Sequence, residues 1–424
     1  MAILLLSFAG FLLIGVPISI SIGASAVLAC LYFGYPLFTI GQRMISGVDS
    51  FLLIAVPLFI LAGNLMNAGK ITDMIFDTAK AMVGWIPGGL AHSNVVASII
   101  FAGKSGSAVA DAGGLGAIQM KAMTERGYTR EFAGSISAAS SVIGPIIPPS
   151  IPLVIYGSMA GVSIARLFLG GIFPGILIGV ALMVLVGVYA VIYKFERHPF
   201  DLNVLIRQII NSFFALITPI IIIFGFVSGY ITPTEASSVA VIYALLISIF
   251  AYRTMTFGDF KKCLLDSATA SANTLFIIGA SALFSYIMIR QGISREIGDF
   301  LFGISSNPAI VLLSINIILL ILGLFMEPGA IITLMLPILL PVVTALGIDL
   351  VHFGVVMVVN VMIGQVTPPF GVCLFVISDV GKVSLEKLSK AILPFIIPLV
   401  IILFLITYVP AIVTWVPNLI MGQP

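Results

Sequence analysis

Charge is scarce in this sequence. Lys, Arg, Asp and Glu together make up only 8% of the 424 residues, whereas 60% are hydrophobic and the mean hydropathy is +1.23. A soluble domain carries about 25% charged residues, so this chain cannot cover a water-facing surface. The formal net charge is only +2, which argues against nucleic acid as a partner. The composition therefore indicates a multi-pass integral membrane protein.

Residues for metal binding and catalysis are also sparse. Cys30, Cys263 and Cys373 lie far apart, and no CxxC or Cys/His spacing indicates a metal site or a disulfide framework. No Ser/His, His/Glu or Asp/Asp arrangement has a spacing that suggests catalysis, so we expect no enzyme. The phosphate-loop motif is absent because Gly103-Lys-Ser105 lacks the upstream glycine and follows no strand. An ATPase is thereby excluded.

Long apolar runs take the place of the missing charge. They predict nine membrane crossings, at about 2–30, 50–68, 131–157, 166–193, 211–228, 234–251, 267–289, 354–378 and 392–416. The first run has no basic residues before it and is too long for a signal-peptide core, so it is expected to remain as a span. Two amphipathic segments, 70–82 and 257–265, predict helices that lie at the membrane surface.

Two further apolar runs, about 88–122 and 307–346, differ from the crossings. Each is interrupted near its middle by a glycine-rich or charged tip. The arms have roughly 15 residues each and would span about 22 Å, which is short of the hydrocarbon core of about 30 Å. These runs therefore predict re-entrant helical hairpins.

The distribution of basic residues predicts the orientation. With the N-terminus in the cytoplasm, most of the 19 Lys and Arg residues fall in cytoplasmic segments, as the positive-inside rule requires. The C-terminus is then on the opposite, periplasmic side. The first hairpin enters the membrane from the cytoplasm, and the second enters from the other face.

An internal repeat relates the two halves of the chain. A shift of 220 positions places Gly103 on Gly323, Gly144 on Gly364, and Pro148-Pro149 on Pro368-Pro369. The first repeat is predicted over 1–210, with the hairpin at 88–122 and a broken helix at 131–157. The second is predicted over 211–424, with the hairpin at 307–346 and a broken helix at 354–378. Because the hairpins enter from opposite faces, the repeat is inverted, which is typical of alternating-access transporters.

The proline pair in each broken helix removes two consecutive N–H donors. The unpaired carbonyl groups would be costly in hydrocarbon, so each break is expected beside a cavity, an ion or packed protein. In the first repeat, hydroxyl groups of Ser105 and Ser107 with carbonyl groups of Gly144, Ile147 and Pro149 could form an oxygen cage. A hard cation such as Na⁺ prefers oxygen ligands, so we predict a sodium site there.

The repeat predicts a second sodium site. Its members would be Gly323, Glu327, Gly364, Thr367 and Pro369, in which Thr367 adds a hydroxyl where its repeat partner has only a carbonyl. Proton coupling is the alternative, because it uses intramembrane carboxylates and Glu327 is one of two near the sites.

Charged residues within the apolar runs are candidates for binding substrate, because their burial is costly. These residues are Lys104, Asp111 and Arg290. Lys104 or Arg290 could face an anionic substrate, and a salt bridge within the fold is the alternative for each. Asp111, together with Glu327, is also a candidate proton carrier.

Five motifs resemble the large membrane subunit of tripartite ATP-independent periplasmic (TRAP) transporters. They are Gly103-Lys-Ser-Gly-Ser-Ala-Val-Ala-Asp111, Gly144-Pro-Ile-Ile-Pro-Pro-Ser150, Gly229-Tyr-Ile-Thr-Pro-Thr-Glu-Ala236, Met326-Glu-Pro-Gly329 and Gly364-Gln-Val-Thr-Pro-Pro-Phe-Gly371. The resemblance implies a sodium-coupled importer that works by an elevator movement. A transport domain would carry the hairpins and broken helices, and the other spans would form a scaffold. It places one Na⁺ at the same five residues as the oxygen cage.

The resemblance also implies partners, a substrate and a location. The partners would be a soluble periplasmic substrate-binding protein and a small four-helix membrane subunit, which we expect as a separate polypeptide. Substrates of the family are organic acids, commonly C4-dicarboxylates or sialic acids, and this chain resembles the sialic acid branch more closely. Two or more Na⁺ would be the coupling ions. The location would be the bacterial inner membrane, in contact with lipid.

Overall fold

Every regular element of the described chain is a helix, which confirms the all-α class. The computed structural model describes residues 2–195, 199–227, 231–293, 296–298, 303, 305 and 307–423, without the side chains at 2, 103–105 and 226–227. Lys104 and Ser105, which are predicted to bind substrate and sodium, are therefore described by their backbone alone. Residues 229 and 230, the first two of one of the five motifs, lie outside the described residues.

The first half of the chain contains short and long helices in alternation. They are α1 (Ala2–Leu13), α2 (Ile18–Tyr32), α3 (Phe38–Val48), α4 (Ala55–Ala68, after a 3₁₀ turn at Phe51–Ile54), α5 (Ile71–Val83), α6 (Gly89–Ser105), α7 (Ala108–Gly113), α8 (Leu115–Thr124), α9 (Arg130–Ser141), α10 (Ile151–Ala160) and α11 (Ile164–Tyr193).

The second half follows a similar plan. Its described helices are α12 (Leu202–Asn211), α13 (Phe213–Val227), α14 (Pro233–Leu246, continued by a π turn at Ile247–Ala251), α15 (Phe257–Arg290), α16 (Pro308–Gly323), α17 (Pro328–Ala345), α18 (Leu350–Gly364), α19 (Val372–Gly381), α20 (Leu385–Tyr408) and α21 (Ala411–Met421).

Within the described ranges, six helical segments are long and apolar enough to cross a bilayer. They are Phe51–Ala68, Ile164–Tyr193, Pro233–Ala251, Phe257–Arg290, Pro328–Ala345 and Leu385–Tyr408. The pair α12 and α13 passes the same test as one segment bent by 63°. The predicted crossings at 50–68, 166–193, 234–251 and 267–289 coincide with helices that have the length and composition of membrane spans.

The predicted limits of two crossings and one surface helix are wrong. The run 2–30 is not one crossing, because Gly15 at φ +83° and Pro17 divide it into α1 and α2, which pack against each other. With 12 and 15 residues, these helices reach only about 18 and 22 Å. The run 392–416 is divided at Pro410, where α20 has ended and α21 begins. The predicted surface helix 257–265 continues into α15 without a break, since no proline interrupts it.

Both predicted hairpins are present. In the first, α6 reaches a tip at Gly106, which has φ +57°, and Ser107 begins the return through α7 and α8. In the second, α16 and α17 meet at a tip where Glu327 is the N-cap of α17. α6 has 17 residues and α16 has 16, so these two arms span only about 25 Å. The return arm α17 has 18 residues and is longer than the predicted arm of about 15. Ser107 and Glu327 are 220 positions apart, so the repeat register holds at the tips.

Both predicted helix breaks are confirmed. Thr129 is the N-cap of α9, where its hydroxyl accepts from the N–H of Phe132 at 3.3 Å, and the helix resumes as α10 after the proline pair. Asp349 is the N-cap of α18, where its carboxylate accepts from the N–H of His352 at 2.7 Å, and the helix resumes as α19. Thr129 and Asp349 are again 220 positions apart, so the two broken helices begin with equivalent caps.

The broken helices cross each other in opposite directions, as an inverted repeat requires. α9 packs on α19 and α10 packs on α18. At the second crossing Gly354 lies against the ring of Tyr156, a fully buried side chain whose hydroxyl donates to the carbonyl of Leu350 at 2.7 Å. Each hairpin also packs on the other repeat, since α7 contacts α19 and α17 contacts α10. The hairpins and broken helices therefore form one interlocked unit.

The Tyr156 hydroxyl is expected to stabilise this crossing measurably. Tyr156→Phe removes one buried hydrogen bond and should reduce the free energy of unfolding by about 1 kcal/mol. Tyr408→Phe is the matched control, because its exposed hydroxyl donates to the carbonyl of Ala309 at 3.2 Å. Thermal unfolding in detergent compares them, and equal midpoints for both variants would contradict the assigned role of Tyr156.

Candidate functional site

A cavity of about 460 Å³ lies where the interlocked unit meets α4 and α15. Both hairpin tips line it, through 106–111 in the first and 327–329 in the second. Both helix breaks reach it as well, through Pro145, Ile151 and Pro152 in the first and through Gln365 and Val372 in the second. The opposite wall carries Asn64, Asn67, Asn273 and Thr274. The cavity therefore joins all four repeat-related features.

Five of the described helices begin at this cavity. The first residues of α7, α8, α10, α17 and α19 line it, so their N-termini, with their partial positive charge, converge there. Neither Glu327 nor Gly371 caps its helix with a side-chain hydrogen bond. Lys and Arg are absent from the described lining. The charged side chains of the described lining are those of Asp111 and Glu327, so helix N-termini and polar side chains are the groups that can bind an anion there.

The first break lies against the first hairpin tip. A methyl group added to Gly144 would overlap Oδ2 of Asp111, and one added to Gly106 would lie 3.2 Å from the carbonyl oxygen of Pro149. Among the described residues, no hydrogen bond reaches the carbonyl oxygens of Gly144, Ile147 or Pro149. Three of the predicted sodium ligands are thus available as oxygen donors.

The remaining predicted members of the first site belong to the tip. Ser107 is the N-cap of α7, and its hydroxyl accepts from the N–H of Ala110 at 3.4 Å. Ser105 ends α6. Ser107 and Asp111 line the cavity, and Asp111 is only 3% exposed. The structure therefore brings the tip and the break together as the sequence predicts.

The second break differs from the first because its Thr367 forms hydrogen bonds to nearby carbonyl groups of the same segment. The N–H of Thr367 donates to the carbonyl of Gly364 at 3.1 Å, and the Thr367 hydroxyl donates to the carbonyl of Ile363 at 2.7 Å. A methyl group on Gly364 would lie 2.6 Å from Cα of Gly323, so these two predicted members are in backbone contact. Glu327 lines the cavity, whereas Pro369 is exposed outside its lining.

Arg290 does not reach the cavity. It ends α15, sixteen residues beyond Thr274, which corresponds to about 24 Å along the helix. Its side chain is exposed, and Nε donates to the Tyr286 hydroxyl at 3.2 Å. The sequence correctly marked Arg290 as unusual, but the structure separates it from the other predicted substrate-binding residues.

The polar wall formed by α4 and α15 was not predicted from the sequence. Asn64 and Asn273 lie within apolar spans, a pattern that marks intramembrane polar residues as functional candidates. The Asn64 amide donates to the Ser267 hydroxyl at 2.8 Å and so links the two helices. Gln365 was also missed. It is 1% exposed, and within the described chain its Nε2 atom has no hydrogen-bond partner.

Interlocked hairpins and broken helices around a central cavity define an inverted-repeat membrane transporter. The chain belongs to the family of the DctM component of tripartite ATP-independent periplasmic transporters, which matches residues 5–412. It is therefore one component of a TRAP transporter, as the motifs predict.

Two relatives support this assignment, and a solved structure shares the fold. The chain is 42% identical to the sialic acid TRAP transporter large permease protein SiaM of Vibrio cholerae, over 90% of each chain. It is 35% identical to the C4-dicarboxylate TRAP transporter large permease protein DctM of the same organism, over 99% of this chain and 98% of that protein. The fold resembles the crystal structure of the Alcanivorax borkumensis YdaH transporter, with a TM-score of 0.64 and 13% identity, over 96% and 97% of the two chains.

Proposed function

We propose that this chain is the membrane permease of a sodium-coupled importer of an organic acid, with N-acetylneuraminate, a sialic acid, as the preferred substrate. The observation that carries the proposal is the cavity where five helix N-termini converge without a described basic side chain. Partial positive charges of this kind bind a carboxylate without the strong attraction of a full positive charge, which would slow its release. The volume of about 460 Å³ suits a small molecule.

Sodium coupling is supported by the oxygen donors of the first site. Carbonyl groups of Gly144, Ile147 and Pro149 and the hydroxyl of Ser107 provide the ligand type that Na⁺ prefers. The second site would add Glu327 and the Thr367 hydroxyl. Two Na⁺ imported with one monoanion carry one net positive charge inward, and each such charge yields about 2.3 kcal/mol per 100 mV.

Proton coupling remains the second candidate because Asp111 and Glu327 both line the cavity. Two intramembrane carboxylates at one site are typical of proton relays. A proton-coupled carrier would work without a sodium gradient and could act without a binding protein. A C4-dicarboxylate is the second candidate substrate, in view of the similarity to DctM.

The architecture supports an elevator movement. The hairpins and broken helices pack on one another as a unit, and the cavity lies between this unit and the wall formed by α4 and α15. Sliding of the unit along that wall would carry the bound substrate across the membrane. The unit would be the transport domain, and α4 and α15 would belong to the scaffold.

The proposal includes two partners and a location. A periplasmic substrate-binding protein would deliver the acid, and a separate small membrane subunit would complete the scaffold. The complex would lie in the bacterial inner membrane, with the N-terminus of this chain in the cytoplasm and the C-terminus in the periplasm. The match to a component of a tripartite transporter supports such an assembly.

Uptake into proteoliposomes tests the proposal. The vesicles contain this chain and its small subunit, and the binding protein is added outside with radiolabelled N-acetylneuraminate. We expect accumulation only when an inward sodium gradient and the binding protein are both present. Accumulation of succinate instead would replace the substrate and keep the mechanism. Uptake driven equally by a proton gradient without sodium would contradict the proposal and favour Asp111 and Glu327 as proton carriers.

A further inference from the structure

Two arginines converge on one tyrosine at the end of α15. The guanidinium carbon of Arg43, from α3, lies 4.1 Å from the ring centroid of Tyr286. The guanidinium carbon of Arg290 lies 5.7 Å from the same centroid, and its Nε donates to the Tyr286 hydroxyl. Both arginine side chains are exposed. Because α3 packs along α15, the fold holds two like charges at one position.

No acidic side chain balances these charges within the described residues. Neither Arg43 nor Arg290 forms an ion pair there. Two guanidinium groups directed at one ring repel each other, so an anion between them would stabilise the arrangement. The Tyr286 hydroxyl and the ring of Tyr35, whose centroid is 6.1 Å from that of Tyr286, complete the surroundings.

The cluster lies where a lipid headgroup would be. The opposite end of α15 carries charged residues as far as Asp266, and 267–289 forms an uncharged stretch of about 34 Å. That length matches the hydrocarbon core with part of its interfaces, so Arg290 falls at the boundary with water. Tyrosine and arginine are typical of this depth.

Apolar side chains adjoin the cluster on the same two elements. Phe38 and Ile45 of α3 are 70% and 66% exposed, and Ile289 of α15 is 57% exposed. Acyl chains could cover these side chains while a headgroup contacts the arginines.

We propose that Arg43, Arg290 and Tyr286 form a binding site for the phosphate of an anionic phospholipid. Each guanidinium can bind phosphate oxygens through two parallel hydrogen bonds. The Tyr286 hydroxyl accepts from Arg290 and can donate its proton to another phosphate oxygen. A bound lipid would connect α3 to α15, which carries part of the cavity wall.

Lipid binding to the purified full chain tests the proposal. Phosphatidylglycerol is titrated into the protein in detergent, and native mass spectrometry counts the retained lipid. Loss of both charges in Arg43→Gln/Arg290→Gln is expected to weaken binding roughly 10- to 30-fold. Arg43→Lys/Arg290→Lys keeps the charges but not the paired hydrogen bonds, so it should weaken binding only about threefold. Zwitterionic phosphatidylcholine should not bind selectively.

Matched controls separate this site from general charge effects. Arg130→Gln/Lys387→Gln also removes two exposed positive charges and should bind phosphatidylglycerol within about twofold of wild type. A monodisperse elution peak shows that each variant is folded. Equal lipid binding by wild type and Arg43→Gln/Arg290→Gln would overturn the proposal. Displacement of the lipid by equimolar inorganic phosphate would instead indicate a free-anion site. Unchanged lipid binding combined with loss of stimulation by the binding protein would indicate a protein-docking surface.

Discussion

Sodium-driven uptake is expected to fall at least 100-fold in the Ser105→Ala/Ser107→Ala variant. The first hairpin tip would lose both hydroxyl ligands of the predicted sodium site, while the carbonyl donors of the first break remain. A ligand to an ion is worth at least as much as a hydrogen bond to a charged group, about 1.5–3 kcal/mol. Two such losses correspond to more than 100-fold in ion affinity. Initial rates at several sodium concentrations measure the effect, and a raised sodium requirement should accompany the lower rate.

A serine that caps another helix provides the control. Ser163 caps α11 by accepting from the N–H of Arg166 at 3.4 Å, the same distance as between Ser107 and Ala110. Ser163→Ala should cost about 1 kcal/mol of stability through the lost cap and leave the sodium dependence unchanged. If Ser163→Ala raised the sodium requirement as strongly as the double variant, helix capping rather than ion binding would explain the result.

The helix breaks could be predicted because their cause is local. A proline pair interrupts a helix whatever packs around it, and the shift of 220 positions supplied independent support. The structure places the breaks where the sequence predicts them, with equivalent caps at Thr129 and Asp349. The contact between the first tip and the first break also followed, because an unpaired carbonyl at membrane depth requires a polar or packed neighbour.

The errors arose where the outcome depends on distant contacts. Hydropathy could not show that the first apolar run forms two short helices, α1 and α2, that pack against each other. One long helix and two short helices of the same sequence have the same hydropathy. Arg290 was assigned to the substrate because a charge in an apolar run is unusual. Its actual partner, Tyr286, is four residues away on the same helix, and Arg43 comes from a different helix. The polar wall of α4 and α15 likewise depends on tertiary packing.

The second large effect is expected from Gly364→Ala, because a methyl group there meets backbone. It would lie 2.6 Å from Cα and 2.7 Å from the carbonyl carbon of Gly323. Neither atom can rotate away, so α16 and α18 would have to separate. Overpacking of this kind costs about 1–3 kcal/mol or more, and separation would also displace the second hairpin tip with Glu327. We expect uptake to fall at least tenfold and the thermal midpoint to fall clearly.

Alanine substitutions at two other glycines provide comparisons for Gly364→Ala. A methyl group on Gly323 would lie 3.0 Å from Cα of Gly364, so Gly323→Ala should be milder than Gly364→Ala. Gly187→Ala in α11 meets nothing within 4 Å and should stabilise the helix by about 0.5–1 kcal/mol. The expected order of thermal midpoints is therefore Gly187→Ala above wild type, then Gly323→Ala, then Gly364→Ala. A midpoint for Gly364→Ala equal to that of Gly187→Ala would show that α16 and α18 are not in backbone contact. In that case the second sodium site would lose the juxtaposition of Gly323 and Gly364 on which it depends.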